Sequence, residues 1–387
     1  MTAPYFMQRL VLLFTALIVP AAAGAATVPP PPELAAKSWV LMDAASGSVL
    51  VDQQGSQRLP PASLTKLMTS HVAALEMQRG RLKESDLVNI SEKAWRMGGS
   101  KMFVKVGNQV SVHDLMRGII VQSGNDASIA LAEHIAGGEE TFASMMNQEA
   151  RRLGLANTFF VNATGWPDPN HYSSALDMAR LARAIILEDP AHYALYAEKE
   201  FVWNGIKQPN RNLLLWRDPT VDGLKTGHTD EAGYCLVASG KRDGQRLIAV
   251  VFGTESEQAR ANETAKLLGY GFNFFDSKIF FKKGETVQSV DVWKGAARTL
   301  KAGVAADFAA ALPKRASGEY QTRIVLAGGD VVAPVAAGVS LGRVELVGAD
   351  GKIVMQAPLV ALEAVEEGGF FRRSWDSIRL FFRKLFG

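Results

Sequence analysis

Ser63 and Lys66 stand three residues apart, a spacing that sets a hydroxyl and an amine on one face of a helix. Pro60 and Pro61 immediately upstream favour a helix that starts here and place Ser63 in its first turn. Free backbone N–H groups and the positive end of the helix dipole gather at such a turn and stabilise an alkoxide forming on the serine. The same field, together with burial, disfavours a charged ammonium, so the Lys66 amine can fall toward neutrality and accept the serine proton. This is nucleophilic catalysis, and a serine without such a base is inert. Taken alone the pair is weak evidence, because an exposed serine and lysine on an ordinary helix explain it as well.

Two further strings add to it. Ser123-Gly124-Asn125 falls in a break between helical stretches, where polar side chains can point into a cleft; a helix cap at Ser123 or Asn125 is the plainer explanation. Lys225-Thr226-Gly227 precedes a pair of strand patterns. Its amine and hydroxyl suit a carboxylate, and Gly227, lacking a Cβ, lets a substrate backbone lie flat against a strand edge. An ordinary polar turn also accounts for it. Each string occurs once in the chain, and their appearance together in this order carries the weight.

Ser-x-x-Lys, Ser-x-Asn and Lys-Thr-Gly form the signature of penicillin-binding proteins and class A β-lactamases. The longer strings Pro61-Ala62-Ser63-Leu64-Thr65-Lys66-Leu67-Met68-Thr69, Gln122-Ser123-Gly124-Asn125-Asp126-Ala127 and Val221-Asp222-Gly223-Leu224-Lys225-Thr226-Gly227-His228-Thr229 resemble one family, the low-molecular-mass serine D-alanyl-D-alanine carboxypeptidases. The resemblance runs from about residue 35 to the last residue. It implies an α/β fold of the β-lactamase/transpeptidase-like kind, in which an antiparallel sheet is flanked by helices and a helical subdomain carries Ser123. A small all-β domain and a C-terminal amphipathic helix follow.

By resemblance, Ser63 is the nucleophile and Lys66 the acylation base. Ser123 and Lys225 relay the proton to a departing D-alanine, and Asn125 holds the substrate peptide amide. Lys225, Thr226, Gly227, His228 and Thr229 form the substrate-binding edge. The backbone N–H groups of Ser63 and His228 form an oxyanion hole, worth roughly 3 kcal/mol per donor. Arg260, in Ala259-Arg260-Ala261-Asn262-Glu263, matches the position that takes the substrate's terminal carboxylate; a solvated helix charge is the alternative. The implied reaction removes the terminal D-alanine of peptidoglycan pentapeptides through an acyl-enzyme on Ser63, with a part in peptidoglycan maturation and cell shape. β-Lactams would act as covalent inhibitors, and no cofactor is implied. A DD-endopeptidase or weak β-lactamase on the same site, and a non-catalytic peptidoglycan-binding protein, stay open as alternatives. Ser-Gly-Asn replaces the Ser-Asp-Asn of class A β-lactamases, and no Glu-rich loop for a deacylating water is evident. Residues 95–102, which flank Ser63, form a shorter loop than in some members of the family.

These residues need a scaffold, and the chain's patterns outline one. The 387 residues are long enough for two domains and a tail, and an apolar share of 48% supports packed cores. Residues 1–26 read as a signal peptide, with Arg9, an apolar stretch over 10–19 and small residues after Pro20; an uncleaved anchor is the alternative. Residues 27–34 form a Pro-rich spacer. The catalytic domain is expected over residues 35–280. Within it come a hairpin around residues 44–47, an amphipathic helix over 63–78, helical segments through 112–187, a strand pair turning at Asp243-Gly244, and a helix from Glu257. A small β-sandwich-like domain follows over 284–366 and an anchoring helix over 368–387. Cys235 is the only cysteine, which excludes an internal disulfide, and no metal-ligand spacing is present; of the histidines only His228 touches a motif. A net charge of +3 does not suggest a nucleic-acid binder.

The tail carries its own pattern. With about 100° between successive helical residues, Phe371, Trp375, Ile378, Phe382 and Leu385 share one face, and Arg372, Arg373, Arg379, Arg383 and Lys384 lie toward the other. This suits an interfacial helix on an anionic membrane surface, each basic residue there contributing about 1 kcal/mol. Packing against the β domain is the alternative. The expected location is the periplasmic face of the inner membrane.

Overall fold

Strict alternation along the strands sends successive side chains into two different cores. Val40 and Met42 enter one and Trp39 and Leu41 the other; Ile248, Val250 and Phe252 part in the same way from Leu247, Ala249 and Val251. A strand buried on both faces needs a layer on each side, and the computed structural model, which describes residues 28–316 and 319–386, has one. Five antiparallel strands run in the order Val49–Gln53, Ser38–Asp43, Gln245–Thr254, Gly233–Arg242 and Val221–Thr229. Helix Glu257–Phe274 covers one face through Leu267, Leu268 and Phe272. Helices Lys66–Gln78 and Ala175–Glu188 cover the other. The expected signal segment lies outside the described residues.

Helices Val112–Ile120, Asn125–Ala136 and Glu139–Arg152 form the helical lobe. Local chemistry sets their ends: the Ser111 side chain accepts from the Asp114 N–H, and Gly137 closes a helix at a left-handed φ of 74°. The helix after Ser63 differs from expectation. It is not amphipathic near its start, since every residue from Lys66 to Ala74 is buried. Its first half runs between sheet and lobe with no solvent face, and most of the polar groups there find internal partners, His71 Nδ1 having none among the described residues. Thr69 Oγ1 donates to Ala163 O at 2.7 Å, and His71 Nε2 lies 2.9 Å from Glu149 Oε1.

A second, all-β unit holds strands Thr286–Asp291, Thr299–Val304, Ile353–Ala361, Ser340–Val347 and Gln321–Leu326 in that order around Leu300, Val344, Leu346 and Leu359. Helix Phe370–Phe386 rests on it through its polar face. The Arg379 and Arg383 guanidinium carbons lie 5.3 and 5.8 Å from the Trp293 ring centroid, and Asp376 Oδ2 accepts from Lys294 N at 2.8 Å. Arg372 reaches Ala296 O at 3.2 Å and Arg383 reaches Asp330 at 3.1 Å. Phe371, Trp375, Ile378, Phe382 and Leu385 are exposed. Both expected faces exist; Arg372, Arg379 and Arg383 touch the β unit, while Arg373, Arg379 and Arg383 remain exposed. Among the described residues no helix is long and apolar enough to cross a membrane.

Candidate active site

The turn that carries Ser63 is tighter than expected. Ala62–Thr65 is a 3₁₀ turn, and the α-helix begins only at Lys66. Two glycines let other segments press against it. A Cβ on Gly227 would lie 2.9 Å from Pro61 O and 3.2 Å from Leu64 N, so the absence of a side chain lets this strand approach the turn, a need the sequence did not show. A Cβ on Gly165, at a φ of 82°, would lie 1.8 Å from Ala62 O. His171 ties the same loop to the turn. Its Nδ1 accepts from Val161 N at 3.2 Å, which leaves Nε2–H to donate to Thr65 Oγ1 at 2.8 Å.

Lys66 Nζ lies 3.0 Å from Ser63 Oγ, 2.7 Å from Asn125 Oδ1 and 2.6 Å from Thr164 O. Asn125 Nδ2 donates to Gly98 O at 2.9 Å, which orients the amide with its oxygen toward the lysine. A neutral amine has two N–H donors and one lone pair. The two carbonyl oxygens take the donors, so the lone pair is left for the Ser63 hydroxyl proton. Burial lowers the Lys66 pKa to about 7, with the Arg211 charge adding to the shift and Asp126 opposing it. The lowering and the part of burial in it were expected; that of Arg211, a residue outside every motif, was not.

Ser123 is held at a left-handed φ of 65°, a conformation costing a non-glycine residue about 1–3 kcal/mol and found at functional sites. Its buried Oγ has no hydrogen-bond partner among the described residues and borders the cleft. Asn125 opens helix Asn125–Ala136, and its polar ends go to Lys66 and Gly98, so it holds the lysine rather than standing free for a substrate amide. Asp126 straps the flanking loop to the helix start, accepting from Met102 N and Phe103 N at 2.8 Å each.

Lys225-Thr226-Gly227 precedes the expected strand pair, and it also belongs to a further strand that the sequence pattern did not show. It lies inside Val221–Thr229, the edge strand of the sheet. An edge strand turns alternate backbone N–H groups away from the sheet, here toward the cleft. Lys225 is buried, and burial first, then the charges of Lys66, Arg211 and Arg260, push its pKa well below the usual lysine range. Thr226, Gly227, His228 and Thr229 line the cleft, with the His228 ring stacked 3.9 Å from Tyr234. The cleft encloses about 700 Å³ between this strand, Ser63 and the loops at 99–100 and 164–167. Arg260 borders it as a buried side chain and not a solvated helix charge, 3.5 Å from Gly227 O and 5.5 Å over the Tyr234 ring.

The structure brings Ser63, Lys66, Ser123, Asn125, Lys225 and Arg260 together at this cleft, joined by Arg211, the Thr164 carbonyl and Gly165, which the sequence did not single out. The one available signal for the last two was the irregular run over 162–173. No carboxylate among the described residues hydrogen-bonds Ser63 or Lys66. Glu139 anchors the loop at 162–173, accepting from Ala163 N at 3.1 Å. His71, Glu149 and Glu188 bring ligand atoms within 4.8 Å of one another, a grouping that spacing along the chain could not show. Arg152 already bridges its two carboxylates at 2.6 Å each.

Residues 25–256 match the family described as D-alanyl-D-alanine carboxypeptidase, and residues 275–367 match that described as Penicillin-binding protein 5, C-terminal domain. D-alanyl-D-alanine carboxypeptidase DacC of Escherichia coli (strain K12) is 42% identical over 359 residues, which cover 91% of this chain and 90% of that protein. Among solved structures, penicillin binding protein 5 from Haemophilus influenzae matches with a TM-score of 0.82 at 43% identity, covering 87% of this chain and 99% of that one. Penicillin-Binding Protein D2 from Listeria monocytogenes, in its ampicillin-bound form, matches with a TM-score of 0.58 at 29% identity, covering 63% of this chain and 99% of that one.

Proposed function

The chain belongs to the D-alanyl-D-alanine carboxypeptidase family of serine peptidases, and we propose that Ser63 is its nucleophile and Lys66 its base. It is a D-alanyl-D-alanine carboxypeptidase of the penicillin-binding kind, and its substrate class is the peptidoglycan peptide. The observation that carries the site assignment is the contact set of Lys66, whose two carbonyl partners leave its lone pair for Ser63.

Lys66 Nζ removes the hydroxyl proton as Ser63 Oγ bonds to the carbonyl carbon of the D-Ala–D-Ala link. The carbonyl electron pair moves onto oxygen, where the N–H groups of Ser63 and His228 receive it. As the carbonyl re-forms, the C–N bond breaks. The proton travels from Lys66 by way of Ser123 and Lys225 to the departing D-alanine amine. Water then opens the ester, leaving a peptide one residue shorter and a free Ser63. Arg260, with Thr226 and Lys225, binds the terminal carboxylate, the group that marks a carboxypeptidase substrate. A β-lactam enters by the same attack and remains as an acyl group on Ser63. Release of free D-alanine from a pentapeptide tests the activity; cleavage of cross-bridges without D-alanine release would favour the endopeptidase.

Residues 1–26 would direct export to the periplasm, and helix Phe370–Phe386 would seat the enzyme on the inner membrane. The support for the second is the outward apolar face of that helix, a surface that stands exposed without a lipid partner.

A further inference from the structure

Trp166 stands at the mouth of the cleft with 48% of its surface exposed, yet its backbone is fixed on both sides. Its N–H donates to Asn162 Oδ1 and to Thr164 Oγ1, each at 3.1 Å, and its carbonyl accepts from Asn162 Nδ2 at 3.0 Å. Gly165 before it is wedged against Ala62 O, beside the nucleophile. The far edge of the indole rests on the opposite loop: Cβ atoms built on Gly98 and Gly99 would lie 3.5 Å from its Cη2 and 3.4 Å from its Cζ3. A rigid, half-exposed aromatic that spans two loops of a cleft is a ready-made contact surface.

Its place tells what it would contact. Tyr234, the other aromatic on the cleft wall, lies under Arg260 and beside His228, where the substrate's carboxylate is held. A peptide pinned by its carboxylate at Arg260, with its scissile carbonyl at Ser63, leaves the cleft away from Tyr234. Away from the strand and Arg260, the apolar side chains lining the cleft are Trp166 and Pro167, and the indole is the larger.

Resting on the active-site reading above, we infer that Trp166 determines specificity for the residue preceding the D-Ala–D-Ala pair, taking a long aliphatic side chain against its indole face. A terminal amine on that side chain adds attraction to the ring, but the aliphatic stem supplies the main contact.

The test compares kcat/KM for Nα-acetyl-alanyl-D-alanyl-D-alanine and Nα,Nε-diacetyl-lysyl-D-alanyl-D-alanine, read as released D-alanine. The full-length wild type should favour the lysyl peptide roughly tenfold, the scale set by a few methylenes in an apolar contact. In Trp166→Ala the ratio should fall to near one, and Trp166→Phe should keep part of it. The free-amine lysyl peptide separates the stem from the charge: its ratio should fall in the same way. Equal proportional losses on both acetylated peptides, a ratio that survives in Trp166→Ala, or a wild type without preference would each overturn the inference while leaving the carboxypeptidase reading intact. A wild type that releases D-alanine from neither peptide would remove the active-site reading and this inference with it.

Discussion

Lys66 Nζ lies 2.7 Å from Asn125 Oδ1, and Asn125 can meet it only through that oxygen because its Nδ2 is committed to Gly98 O. The asparagine thus acts as an uncharged acceptor that orients the amine without holding its proton. Asn125→Asp keeps the shape and adds a charge. A carboxylate this close favours the ammonium and should raise the Lys66 pKa by about 1–3 units. Acylation by penicillin at pH 7 should therefore fall, and the rising limb of its pH profile should move upward. An unmoved limb would separate Asn125 from the tuning of Lys66.

In the unaltered enzyme the base must be deprotonated, so kcat/KM for D-alanine release should rise with pH and reach half its plateau near 7, where burial sets the Lys66 pKa. Lys66→Arg preserves charge and approximate length but cannot lose its proton in this range. Acylation should fall by at least ~10²-fold, and the limb near 7 should disappear. A limb that persists in this variant would assign it to another group.

Arg260→Ala should weaken peptides with a free C-terminal carboxylate by roughly 10–100-fold in kcat/KM, the scale of a hydrogen bond to a charged group. C-terminally amidated peptides should show much less difference. Because Arg260 also touches the Gly227 and Arg211 carbonyls, Arg260→Lys serves as the control for a positional role. Equal losses on both peptides would make the residue structural.

Much of this site was legible because its chemistry travels in short strings. Ser63 and Lys66 meet across one helical turn, and Ser123 with Asn125 lies where two helices break. What escaped was contributed from a distance. Arg211, 145 positions beyond Lys66 in the numbering, reaches the site only when the chain folds, and the Thr164 carbonyl is a backbone atom that no side-chain pattern can reveal. The helix after Ser63 was misread as amphipathic because its polar residues look solvent-facing until Ala163 and Glu149 are found opposite them. The strand that carries Lys225-Thr226-Gly227 escaped for a related reason: an edge strand facing a cleft lacks the clean alternation of a half-buried one. The tail's two faces followed from periodicity, but which of them would dock depended on Trp293.

That docking refines the expected membrane behaviour. Arg372, Arg379 and Arg383 are engaged by Ala296, Trp293 and Asp330, and Arg373 pairs with Glu367. Vesicle binding should therefore rest mainly on the aromatic face. Removal of residues 368–387 should abolish co-sedimentation with anionic vesicles, with activity on soluble peptide substrates kept within about twofold, because the tail lies beyond the β unit. Raising salt should weaken binding of the full chain without eliminating it, since screening acts on the exposed arginines and not on apolar contact. Binding that vanishes at high salt would return the main role to the arginines, and a truncated form that still pellets would remove the tail from the account.

The most direct test is the site of acylation. Trypsin cuts after Arg58 and Lys66, so residues 59–66 form one peptide carrying Ser63 as its only serine. Mass spectrometry of the protein after brief exposure to benzylpenicillin should show this peptide heavier by one penicilloyl group, with fragmentation placing the mass on Ser63 and not Thr65. Ser63→Ala should show no adduct. An adduct that persists in Ser63→Ala, or one found on any other residue of the wild type, would contradict Ser63 as the nucleophile.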